Sequence, residues 1–169
     1  MWIDKNYKGL KQIENGDYVL EGDLISDDEI EIDLDDRLIV RGDVISKKYI
    51  KANRTLIAEN SIKAGWGIKA GDGIEAGDGI KSGSGIEAGL GIKAGRGIEA
   101  GSGIKAGTFI DSGRRIFAGI SVYRTSDDCE KFIRCSELRN GEICYGDLII
   151  TEKKEEVENG TEKENHGNR

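Results

Sequence analysis

Residues 62–79 read Ile62-Lys-Ala-Gly-Trp-Gly-Ile68-Lys-Ala-Gly-Asp-Gly-Ile74-Glu-Ala-Gly-Asp-Gly79, and the same six-residue unit continues with few changes to Ala118. Ile recurs at 62, 68, 74, 80, 86, 92, 98, 104, 110 and 116. Two places later stands Ala or Ser, from Ala64 to Ala118. A short fixed period with one aliphatic site per unit is the signature of a stacked architecture. In each hexad the Ile and the small residue point to one side of a short strand, and the Lys or Glu between them points out. Gly-x-Gly then turns the corner, which we attribute to the ease with which Gly adopts positive φ.

Outward from this run the same phase continues. Backwards from Ile62 it meets Leu56, Ile50, Val44, Leu38 and Ile32, and forwards it meets Val122. The partner phase meets Ala58, Ala52, Ser46, Val40 and Leu34. The periodic body therefore spans residues 32–122.

The outward charges set the number of hexads per coil. With three hexads, Lys69, Glu87 and Lys105 stack in one column and Glu75, Lys93 and Asp111 in another, with alternating signs. With two hexads, Lys69, Lys81, Lys93 and Lys105 would align as like charges. Neighbouring strands lie about 4.8 Å apart, where like charges repel. The expectation is an all-β fold: a short three-sided parallel β-helix of 18 residues per coil and roughly five coils. Residues 1–31 are expected as an N-terminal acidic cap and 123–151 as a C-terminal β cap, because open ends of a strand stack invite polymerisation. Residues 152–169 contain one aliphatic side chain, Val157, and are expected to be a disordered charged tail.

The hexads of Ile62–Ala118 resemble those of hexapeptide-type β-helix proteins. In the left-handed acyltransferase branch the small residue follows the aliphatic one by four places; here it follows by two, and Trp66, Asp72, Leu90 or Arg96 stands in the fourth place. Bactofilin-like polymers are another triangular helix with degenerate aliphatic hexads. That resemblance implies self-assembly into filaments or oligomers as an alternative role.

Composition narrows the function. The chain has 25 Gly, no Pro and a net charge of −7. It holds no long apolar run, and its N-terminus lacks the apolar core of a signal peptide, so the cytoplasm (the host's, for a phage product) is the expected location. The charge is segregated. Residues 14–36 hold eleven acids and no base, whereas residues 37–125 hold fifteen bases and eight acids. Glu29-Ile-Glu-Ile-Asp-Leu-Asp35 alternates as a half-buried strand, with Glu29, Glu31, Asp33 and Asp35 facing out as a rail. Such a rail, reinforced by Asp27, Asp28 and Asp36, has the charge and spacing to occupy a nucleic-acid channel lined with Lys and Arg.

Other motifs carry little chemistry. Gly71-Asp-Gly-Ile-Glu-Ala-Gly77 lacks the strand-then-helix context of a dinucleotide loop. The only His is His166, so a His-dependent acyl transfer has no base in the repeat. Cys129, Cys135 and Cys144 fit no zinc-finger spacing, and no metal or cofactor is expected. Trp66 and Leu90 fall at exposed corners and join the acids as candidate partner-binding residues. The leading expectation is a non-enzymatic protein-binding solenoid, most concretely an acidic nucleic-acid mimic of anti-CRISPR type. Its partner would be a protein with a basic surface, with no direct nucleic-acid or membrane binding and with homo-oligomerisation open.

Overall fold

The computed structural model describes residues 1–120 and 131–152; the expected tail beyond 152, Val122, Cys129 and His166 lie outside the described residues. Strands open with β1 (Trp2–Ile3), β2 (Leu10–Gln12), β3 (Tyr18–Leu20), β4 (Leu24–Ser26) and β5 (Ile30–Ile32). The body runs through β6 (Leu38–Val40), β7 (Val44–Ser46), β8 (Ile50–Ala52), β9 (Leu56–Ala58), β10 (Ile62–Ala64), β11 (Ile68–Ala70) and β12 (Ile74–Ala76). It continues with β13 (Ile80–Ser82), β14 (Ile86–Ala88), β15 (Ile92–Ala94), β16 (Ile98–Ala100) and β17 (Ile104–Ala106). Last come β18 (Phe109–Ala118), β19 (Phe132–Cys135), β20 (Glu137–Tyr145) and β21 (Asp147–Ile150).

These strands form a three-sided parallel solenoid. Ile68 sits beside Ile86, Ile74 beside Ile92 and Ile80 beside Ile98, each eighteen residues on. One face is an eight-stranded sheet from β1 to β21. The other two faces join into one thirteen-stranded sheet because β18 runs unbroken through the corner between them. The Ile column is buried almost completely, and the Ala/Ser column packs beside it to fill the narrow interior. Burying each Ile contributes about 1.5–3 kcal/mol.

The ion ladders run along the axis as the eighteen-residue register requires. Lys69 and Lys105 both reach Glu87, at 3.4 and 3.0 Å. Lys93 reaches Glu75 at 2.9 Å, and Lys81 reaches Glu99 at 2.9 Å.

Two expectations need correction. The first concerns the corner glycines. None of the glycines from Gly65 to Gly113 has positive φ; that conformation occurs at Gly9, Gly16 and Gly22, at Gly119 in the last hexad, and at Gly141 and Gly146. The corners need Gly because successive coils touch. A Cβ on Gly71 would collide with the carbonyl oxygen of Asn53, and one on Gly89 with that of Gly71.

The second concerns the phase, which does not run through to Ile32. Ile30, not Ile32, lies beside Ile50, while Ile32 lies beside Ala52 in the small-residue column. Tyr18 pairs with Leu38 and Leu24 with Val44, so the first coil takes twenty residues. The extra pair lies between β5 and β6. Leu34 turns its side chain into the core there, and Asn53 clamps the step. The Leu34 N–H donates to Asn53 Oδ1, and Asn53 Nδ2 donates to Asp33 Oδ1, both at 3.0 Å.

The two ends differ. At the N-terminal end β1 adds in parallel to β5, and β2 turns back antiparallel against β3. Ile3 is fully buried, and Tyr7 and Leu10 pack over the core. At the C-terminal end the repeat shortens to five. Ile133, Leu138, Ile143 and Leu148 succeed one another, and Ile133 pairs with Leu148, fifteen residues on. Gly141 and Gly146, at φ +117° and +120°, make the tighter corners.

Candidate partner-binding surface

The acidic stretch does not form one linear rail. Its alternation holds at the level of burial: Ile30, Ile32 and Leu34 are buried, while Glu29, Asp33 and Asp35 are exposed and Glu31 is half-buried. Only Ile30–Ile32 is strand, however, and the chain then bends at Asp35 and Asp36. The acids instead encircle the first coil. Glu21 and Asp23 occupy the β3–β4 corner, Asp27 and Asp28 the β4–β5 corner, and Asp35 and Asp36 the β5–β6 corner. The carboxylates form a collar at all three corners.

The second coil answers this collar with cations. Lys47 Nζ lies 2.8 Å from Asp27, and Lys48 Nζ lies 2.7 Å from Asp28. The Lys48 ammonium beside Asp28, with the Glu29 N–H donating to it, holds that carboxyl below the usual range. Arg41 pairs with Glu59 one coil further on. Asp27 and Asp28 are therefore engaged within the molecule. Glu29, Glu31, Asp33 and Asp35 make no ion pair within 4 Å among the described residues; Asp33 accepts from Asn53, and Lys51 is Glu31's neighbour in register.

The collar contains one buried member that alternation could not flag. Asp17 has a side chain 3% exposed. Burial opposes its ionisation, and bonds from Arg37 and Asn15 overcome that, leaving its pKa below the ordinary value. Arg37 Nε and Nη2 each donate at 2.8 Å in a bidentate pair.

Trp66 and Leu90 are both about half exposed and stand on different corners, so the structure does not bring them together. Trp66 meets Tyr49 edge to face, with centroids 5.1 Å apart. On that corner Tyr49 lies over Gly67 and Phe132 over Gly103, leaving a shallow groove of about 390 Å³ floored by Gly85. The outward positions Val19, Ile39 and Ile57 stack along one face, and Ile25 and Ile45 along another; Ile25 is 54% exposed.

Among the described residues no three His, Cys, Asp or Glu side chains are grouped to hold a metal ion. Cys135 is buried, which pushes its thiol up and away from reactivity, while Cys144 is exposed. No helix among the described residues is long and apolar enough to cross a membrane.

Sequence reasoning missed the apolar C-terminal end, where Tyr145, Leu148, Ile149 and Ile150 are 38–53% exposed. The five-residue recurrence of Ile133, Leu138, Ile143 and Leu148 was the available signal.

No family model matches the chain, and neither the curated proteins nor the solved structures compared with it give a match. The chain is a parallel β-solenoid whose repeat is evident from its own residues.

Proposed function

We propose that this chain is a non-enzymatic, protein-binding solenoid whose acidic first coil docks on a basic protein surface, of the kind that handles nucleic acid. The observation that carries this reading is the axial segregation of charge. Residues 1–36 build β1 to β5 and hold twelve acids against three bases, a net of −9. Residues 37–125 are net +7. A field of one sign at one end of a rigid body steers that end toward an opposite charge. Glu29, Glu31, Asp33 and Asp35 are carboxylates of the first coil with no ion pair within 4 Å among the described residues.

The test is affinity capture from host extract with the wild type and with Glu31→Lys/Asp33→Lys. The expected partner binds the wild type only, loses affinity as salt rises, and is displaced by duplex DNA. A partner retained by the double variant, or indifferent to DNA, defeats the reading.

A further inference from the structure

We propose that the C-terminal end of the solenoid is a homodimer interface, joining two copies end to end about a two-fold axis.

The terminal coil is left unfinished. Among the described residues β20 pairs only with β18, and β21 only with β19, so both present an outer edge of N–H and C=O groups that no described strand pairs. Natural edge strands are blunted by charge, Pro or cover. β21 reads Asp147-Leu-Ile-Ile150, and all four residues are exposed. Leu148 and Ile150 lie in the core-facing columns, beside the fully buried Ile133 and Cys135, yet they are 42% and 53% exposed. Leu138 and Ile143 complete this partly covered layer.

The occupant follows from the other end. The N-terminal core is covered by Ile3, Tyr7 and Leu10, and antiparallel β2 interrupts any parallel continuation on its face. Parallel head-to-tail stacking is thus interrupted on the β3 face, although β1 and β4 keep outer edges on the other two. Two C-terminal ends are mutually complementary, because a two-fold axis sets their edges antiparallel and matches apolar layer to apolar layer. Charge permits this contact. Residues 131–152 hold three bases and four acids, and Lys131–Asp147 and Arg139–Glu137 are paired within the coil. Two acidic N-terminal ends, by contrast, would repel. The proposal stands apart from the docking reading, since it uses the opposite end.

Sedimentation of the full chain over a wide concentration range tests it. The expected species is an elongated dimer at twice the chain mass. Leu148→Lys/Ile150→Lys is expected to sediment as a monomer, as is the milder Ile150→Lys, with far-ultraviolet dichroism unchanged. Glu31→Lys/Asp33→Lys is expected to remain dimeric. Amine cross-linking of isotopically mixed protein should join Lys131 to Lys131 between copies. A wild type that is monomeric throughout, a dimer that survives Ile150→Lys with the fold intact, or cross-links from Lys5 or Lys8 to the other copy's Lys131 would each overturn the proposal.

Discussion

The Arg37 guanidinium grips the buried Asp17 carboxylate through two bonds of 2.8 Å, across the twenty residues of the one irregular N-terminal coil. Removing the cation leaves a buried charge without its partner. Arg37→Met is therefore expected to destabilise the fold by about 2 kcal/mol in chemical denaturation. Asp17→Asn with Arg37→Met should recover part of that loss, because no orphan charge remains. A double-mutant cycle measures the coupling.

The same pair sets an acid limb in the stability profile. Asp17's folded pKa lies below its ordinary value, so its contribution is complete above about pH 4 and fades as pH falls through the lowered folded value. The wild type should lose stability on that descent. Asp17→Asn should show a shallower loss, read from denaturation midpoints across the acid range.

Corner glycines in one turn should differ sharply. A Cβ at Gly71 meets backbone, the Asn53 carbonyl oxygen, whereas one at Gly73 meets the Thr55 side chain at 3.4 Å. Gly71→Ala is expected to cost about 1–3 kcal/mol, since one of the two coils must shift. Gly73→Ala should lie near neutral. Equal melting temperatures for the two variants would show that close approach is not what the first glycine provides.

Glu87 stands between two cations, and Lys105 beside it, with Lys69 on the other side, holds its carboxyl below the usual range. Glu87→Lys makes five successive like charges in one column, from Lys51 through Lys69 and Lys105 to Arg134. The expected loss is about 0.5–1 kcal/mol at low salt, shrinking as salt screens it. Thermal melts at two ionic strengths check both parts.

Ser82 takes the place that Ala holds in most hexads. Its hydroxyl donates to the carbonyl oxygen of Trp66, with that of Gly85 at 3.2 Å, tying the corner to the preceding coil. Ser82→Ala is expected to cost about 1 kcal/mol and to loosen the corner that carries Trp66. Hydrogen exchange at the Ser84 amide, which donates to the Trp66 carbonyl, reads the second effect.

The sequence by itself determined the body of this protein. From Ile62 to Ala106 each rung repeats the same instruction, Ile and Ala or Ser inward and a charge outward, so the period is legible without any distant contact. Alternation of Lys69, Glu87 and Lys105 selected three faces over two, because only that register sets opposite charges side by side. The irregular parts were decided by tertiary structure. The role of the corner glycines depends on the carbonyl of the coil beneath, which lies eighteen residues away. The extra residues near Leu34 are accommodated by Asn53 and by the register of Tyr18 against Leu38. The acids of residues 14–36 became a collar when the twenty-residue coil carried them around three corners, and Lys47 and Lys48 engaged two of them. Each end occurs once, so no repetition averages out its ambiguity. Its shape rests on contacts between residues far apart in the chain, as Ile3 over the core and bare Leu148 show.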